Sequence, residues 1–349
     1  MSIFNQTIYN WYNSNKRELP WRNTNDAYKI WISEIMLQQT RVAQTELYFN
    51  RFIAALPTVF ALAKADEDKV LKLWQGLGYY TRARNLHAAA RLIVEKYNGI
   101  FPDNYHEILK LPGIGHYTAA AIASIAFNQP YAAVDGNVYR VLSRYFGIST
   151  PIDSELGKKE FQQLASVVLS ENNSGLHNQA MMEFGALQCV PKSPDCSNCP
   201  LNPSCDAKKN NMVNNLPVKS KRIKTVTRYF YYYIIVCGDF FLLQKRTEKD
   251  IWKNLYQFPM IETDYEISDS EIIAIEIPWL AGCAYNIKNV SVTKKHQLTH
   301  QTIFARFISI EANKLPLPGP DFFKVHKKDI FTFAVPRLLE PVIKNIGNT

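Results

Sequence analysis

Leu111-Pro112-Gly113-Ile114-Gly115-His116-Tyr117-Thr118-Ala119 joins two stretches of helical pattern, Tyr105 to Leu111 on one side and Tyr117 to Ala126 on the other. Gly113 and Gly115 let the backbone turn tightly and come close to a ligand, because glycine has no Cβ. The first N–H groups of the second helix have no partner within it and lie at the positive end of its dipole, so they can hold a phosphate. Leu111, Gly113 and Gly115 are therefore candidate contacts to a nucleic-acid backbone, a grip that carries no base specificity. The same residues would equally serve a plain helix–helix turn.

Outward from this turn, residues 1 to about 207 keep apolar positions three and four apart with Gly, Pro or Asn between segments, the mark of short packed helices. Glu67 to Trp74, Thr81 to Tyr97 and Val138 to Tyr145 read as such helices. Lys208 to Arg228 is polar, basic and broken by Pro217, which suits an exposed connector. Beyond it, Tyr229 to Val236 and Phe240 to Lys245 flank a Cys237-Gly238-Asp239 turn, the pattern of paired strands. A chain of 349 residues with 47% apolar composition is enough for two cores. Forty Lys and Arg against 31 Asp and Glu give a net charge of +9 and favour a polyanionic partner. The first twenty residues lack the apolar core of a signal peptide and no run is long enough to cross a bilayer, so a cytosolic protein without membrane contact is expected.

Two carboxyls and one cysteine cluster carry the chemistry. Glu34 shares a helical face with Ile30 and Leu37, and apolar neighbours raise a carboxyl's pKa, making it a candidate general acid. A glutamate turned to solvent, or paired with Arg41, is the plain alternative. Asp135 stands at the start of a helical run, Gly136 to Leu142, where backbone N–H bonds stabilise its ionised form and lower its pKa. Helix capping alone would also account for it. One carboxyl held neutral and one held charged are the two states that split a glycosidic bond. Cys189, Cys196, Cys199 and Cys205 sit in one proline-punctuated loop. In a reducing compartment they point to bound metal, zinc or an iron-sulfur centre, which spacing alone does not separate.

Taken together, Leu19 to Arg22 (LPWR), Ser33 to Thr40 (SEIMLQQT), Gly76 to Tyr80 (GLGYY), Leu111 to Ala119, Val134 to Leu142 (VDGNVYRVL) and the cysteine loop resemble, in order, the helix-hairpin-helix glycosylase superfamily, and within it the MutY-type adenine DNA glycosylases. The resemblance implies a multidomain chain. An all-α glycosylase domain with a 4Fe-4S cluster loop would occupy 1–207, divided into a six-helix module at about 23–127 and an iron-sulfur module of 1–22 plus 128–207. A connector at 208–228 would lead to a smaller α/β, MutT-like lesion-recognition domain at 229–349.

It also implies removal of adenine opposite 8-oxoguanine or guanine in double-stranded DNA by a monomer, after the nucleotide is turned out of the stack. Glu34 would protonate the adenine ring and Asp135 would stabilise the cationic sugar, with Tyr117 and Asn137 around them. Arg22 would meet the everted adenine, and Glu183 would be a supporting acid. Gln39 and Tyr79 would enter the base stack near the lesion pair. The four cysteines would hold one 4Fe-4S cluster per chain. Tyr117 stands where the lyase relatives carry a nucleophilic lysine, which implies a glycosylase that leaves an abasic site.

In the second domain Trp252, Leu255, Phe258 and Pro259 match a family element, while the glutamate-rich box of pyrophosphate hydrolysis is missing. The family's Phe-Ser-His loop reads Leu298-Thr299-His300: the hydroxyl and the imidazole donor remain, and the stacking ring does not.

Overall fold

The computed structural model describes residues 2–220 and 225–346, so residues 221–224 of the expected connector lie outside the described residues. The chain divides into two compact units, Met1–Lys64 with Asn85–Lys221, and Ala65–Arg84 with Arg222–Thr349.

The helices before the connector are α1 (Ile3–Asn15), α2 (Ala27–Leu37), α3 (Val42–Ala55), α4 (Val59–Lys64), α5 (Glu67–Trp74), α6 (Thr81–Tyr97), α7 (Tyr105–Leu109), α8 (His116–Phe127), α9 (Gly136–Phe146), α10 (Glu155–Val168), α11 (Ser174–Leu187) and α12 (Asp206–Lys209). Their ends are set by side-chain caps: Asp26 accepts from the N–H groups of Tyr28 and Lys29, Asn104 caps α7 and Ser154 caps α10. Gly147, at φ +69°, stops α9 in a left-handed turn. In the first unit α1, α9, α10 and α11 share a core of Ile8, Tyr9, Val141, Leu142, Phe161, Met181 and Phe184. Where α8 and α11 approach, small residues are required: a Cβ on Gly175 would lie 2.6 Å from the Ser124 carbonyl oxygen.

The stretch after α12 is less free than its composition suggests. Leu216 is buried and its carbonyl accepts from Arg144 Nε at 3.0 Å, while Ser220 donates through N–H and hydroxyl to Asp153. At Leu216 and Ser220, backbone groups are thus satisfied by side chains of the first unit.

The second unit is built on a mixed sheet, eight-stranded among the described residues: β1 (Val226–Cys237), β2 (Phe240–Lys245), β3 (Tyr256–Gln257), β4 (Met260–Thr263), β5 (Tyr285–Val290), β6 (Lys294–Gln297), β7 (Gln301–Ala312) and β8 (Phe322–His326). β1 runs parallel to β7 and antiparallel to β2 and β4. Phe230, Tyr232 and Ile234 face one core, Tyr231, Tyr233 and Ile235 the other. A strand covered on both faces needs an unbroken apolar run, which is what β1 has. Helices α13 (Asp269–Ala274) and α14 (Glu340–Ile346) supply part of that cover through Ile272 and Ile343.

Ala65–Arg84 follows the first helices in sequence yet clusters with this sheet. Asp68 accepts from Lys245 Nζ at 2.8 Å and from the Tyr256 hydroxyl at 2.7 Å, and Lys72 Nζ donates to the Phe333 carbonyl at 2.9 Å. No described helix is long and apolar enough to cross a membrane.

Candidate active site

A cavity of about 410 Å³ opens in the first unit between two helical faces. α2 contributes Ile30, Ser33, Glu34 and Leu37, and α11 contributes Gln179, Met182, Glu183 and Ala186. Both sets have the spacing i, i+3, i+4, i+7 that puts four side chains on one side of a helix. Arg17, Arg22, Tyr117, Asp135 and Asn137 add to the polar lining, as do Gln38, Gln39 and Thr40. The cavity thus gathers Glu34, Asp135, Tyr117, Asn137, Arg22 and Glu183, with Gln39 among its lining residues.

Glu34 is buried, and that burial raises its carboxyl to about 7 against a hydrogen bond from Tyr117 Oη to Oε2 at 2.9 Å. The charge of Asp135 pushes in the same direction, and that of Arg22 opposes it. Tyr117 Oη also lies 3.2 Å from Met182 Sδ, a second acceptor for its single proton.

Asp135 caps α9 as its position suggested. One oxygen accepts from the N–H groups of Asn137 (2.9 Å) and Val138 (2.8 Å), the other from Asn137 Nδ2 (2.7 Å). Its pKa, however, is raised rather than lowered, because burial in the cavity outweighs these bonds and the nearby Arg140. Capping geometry was readable from sequence, whereas the desolvation that overrides it comes from helices distant along the chain.

Glu183 is an anchor. Burial alone would raise its pKa, but Arg17 and Arg22 hold it at about 2. Arg22 donates to both carboxylate oxygens, at 2.7 and 2.6 Å, and Arg17 donates through its backbone N–H and its guanidinium. The Arg22 guanidinium is thereby fixed in the cavity wall, 5.7 Å from the Tyr12 ring centre. Arg17, Gln179 and Met182 were not anticipated; counting one helical turn back from Glu183 would have pointed to Gln179.

Gln39 lies at the cavity rim and the other candidates lie elsewhere. Gln39, exposed, follows α2 at φ +58°, and Tyr79, 47% exposed, has φ +48°; such left-handed backbone is uncommon outside glycine and marks a constrained turn. Tyr79 belongs to the second unit, where its hydroxyl hydrogen-bonds Thr299 Oγ1. Leu298, Thr299 and His300 form the tip between β6 and β7, closed by Leu298 N–H to the Gln301 carbonyl at 2.8 Å. Leu298 packs on the core, and Thr299 and His300 are exposed. Tyr79, Trp252, His296 and this tip line a second cavity of about 450 Å³. In the glycine turn, Gly113 (φ +77°) and Gly115 are exposed, whereas Leu111 is buried.

Cys189, Cys196, Cys199 and Cys205 are free thiols close enough to affect one another: burial first, then the other three sulfurs, push Cys199 up to about 11. Arg144 braces their loop, donating to Cys189 Sγ at 3.4 Å and to the carbonyls of Val190 and Pro191. Among the described residues no group of three or more His, Cys, Asp or Glu is arranged to hold a metal ion. Four soft thiolate donors in one loop have the chemistry of an iron-sulfur centre or of zinc.

Residues 32–166 match the family model described as HhH-GPD superfamily base excision DNA repair protein, and residues 231–345 match that of the NUDIX domain. The chain is 36% identical to the adenine DNA glycosylase of Buchnera aphidicola subsp. Acyrthosiphon pisum (strain APS), across 99% of this chain and 97% of that protein. It is 32% identical to the adenine DNA glycosylase of Arabidopsis thaliana (98% and 62%) and 42% identical to that of Homo sapiens (60% and 40%). Among solved structures, a thermostable thymine-DNA glycosylase matches 60% of this chain and 96% of its own with TM-score 0.56 and 32% identity. An endonuclease III–DNA complex shares the fold, at TM-score 0.52 and 24% identity over 60% and 95%.

Proposed function

This chain belongs to the adenine DNA glycosylases, enzymes of base excision repair, and from that premise we propose that it removes adenine mispaired with 8-oxoguanine or guanine by acid-assisted hydrolysis, leaving an abasic site. The observation that carries the proposal is a buried carboxyl held near neutrality, Glu34, in one cavity with Asp135. Asp135 accepts three hydrogen bonds with Arg140 nearby, whereas Glu34 accepts one with Arg22 nearby, so the charged role is assigned to Asp135.

Glu34 gives its proton to a ring nitrogen of the everted adenine, and the bond from the sugar to the base breaks with both electrons going to the base. The Asp135 carboxylate stabilises the resulting oxocarbenium ion. Water then adds to the sugar and returns a proton to Glu34. Asn137 holds Asp135, and the Glu183 pair holds Arg22 against the base. No amine stands at Tyr117, so the strand is not cut through a Schiff base.

The grip on double-stranded DNA runs through the Gly113–Gly115 turn, with Gln39 and Tyr79 entering the stack and Thr299 and His300 reading the opposite base. Cys189, Cys196, Cys199 and Cys205 would hold a 4Fe-4S cluster, which when bound supplies a cationic core that ties the loop together. The enzyme works as a monomer in the cytosol. In a single-turnover assay, duplexes with adenine opposite 8-oxoguanine or guanine lose adenine and those with adenine opposite thymine do not, and Glu34→Gln abolishes cleavage. Efficient borohydride trapping of a protein–DNA adduct, or cleavage by the Gln variant at the wild-type rate, would overturn the mechanism. Brown protein with matched iron and sulfide supports the cluster, and colourless zinc protein purified without oxygen refutes it.

A further inference from the structure

Residues 131–135, which lead into Asp135, belong to neither helix nor strand, so no regular ladder fixes them. Three of their backbone groups, the Tyr131 and Ala132 carbonyls and the Ala133 N–H, are instead bonded by amide side chains. Asn178 of α11, 2% exposed, accepts from Ala133 N–H at 3.0 Å through Oδ1. Through Nδ2 it donates to the Tyr131 carbonyl and to Ser124 Oγ of α8, both at 2.8 Å. Gln162 Nε2 of α10 donates to the Ala132 carbonyl between them, at 3.1 Å. The Asn178 amide has one admissible orientation, since its oxygen faces an N–H and its nitrogen a carbonyl. Ser124 lies on the helix that carries Tyr117, so one buried side chain ties the approach to Asp135 to the helix that bonds Glu34.

We propose that Asn178, assisted by Gln162, is a positioning residue that sets where the Asp135 carboxylate stands in the cavity. The inference rests on the reading of Asp135 as a reacting group. A displacement of about 1 Å at a reacting group can cost roughly a hundredfold in rate without loss of binding. A merely structural asparagine would affect folding and DNA affinity instead.

Asn178→Asp separates the two. The carboxylate keeps the Ala133 bond but opposes the Tyr131 carbonyl, and protonation restores a donor. The groups facing it, Ser124 Oγ, Tyr131 O and Ala133 N, are uncharged, and the adjacent His177 is turned to the Tyr9 hydroxyl and titrates only at about 4. The single-turnover rate of the variant is expected to fall roughly tenfold to a hundredfold at about pH 8, with unchanged Kd for a duplex containing adenine opposite 8-oxoguanine. Its ratio to wild type should recover as the pH drops toward about 6. A ratio near one, a ratio flat with pH, or a parallel loss of affinity overturns the proposal. Should this variant not fold, the exposed Gln162→Ala decides: a several-fold slower rate at unchanged Kd supports the clamp, and a wild-type rate refutes it. Asp135→Asn runs alongside. If it cleaves normally the reading of the cavity fails; if it is inactive while Asn178→Asp behaves as wild type, the clamp alone fails.

Discussion

Burial favours the protonated form of Glu34 and sets a cost on keeping its charge. The carboxyl moves from 4.5 to about 7, which corresponds to roughly 3 kcal/mol of penalty on the ionised form. Because the folded pKa lies above the unfolded one, the native state binds more protons between these values, and stability falls as pH rises through that window. Two outcomes are expected. The cleavage rate declines above about pH 7 as the acid is lost, seen in a single-turnover pH profile. Glu34→Gln, though inactive, melts higher than wild type at about pH 8 and by less at about pH 5, seen by calorimetry. Residue types and their order were legible in the sequence. The direction of the Asp135 shift was not, because hydrogen bonds to a cap are local and desolvation depends on what packs over it.

Among the elements, α11 links the chemistry to the packing. Its face of Gln179, Met182, Glu183 and Ala186 lines the cavity while Asn178 turns inward, and Gly185 permits close approach to α9. A Cβ on Gly185 would lie 2.6 Å from Asn137 Cβ and 2.8 Å from its carbonyl oxygen, so something must shift. Gly185→Ala is expected to stay folded and to lose roughly tenfold to a hundredfold in cleavage rate with little change in DNA affinity. At the β6–β7 tip, replacing Thr299 and His300 with alanine should lower the preference for 8-oxoguanine over guanine and spare adenine removal; paired rates on the two duplexes check it. The helices Glu67–Trp74 and Thr81–Tyr97 could be read directly from apolar spacing. The attachments of Leu216 and Ser220 could not, since polar composition does not say which backbone groups find a side-chain partner.

For the whole molecule, the runs Tyr229 to Val236 and Phe240 to Lys245 read as paired strands, while the burial of β1 on both faces became visible only in the structure. What sequence order concealed is that Ala65–Arg84 keeps company with strands made much later. All side chains around Glu34 and Asp135 lie outside that segment. A chain ending at Ser220 is therefore expected to keep adenine removal while losing preference for 8-oxoguanine, and to melt lower because Asp68 and Lys72 lose their partners. Comparing its rates and melting temperature with the full chain checks both.

The same interlacing bears on how the polypeptide matures on the ribosome. A helix translated early must wait, partners unmade, until more than half the message has been read. Removing the C-terminal unit would therefore strand an internal segment, since Ala65–Arg84 would keep Asp68 and Lys72 without the groups that hold them.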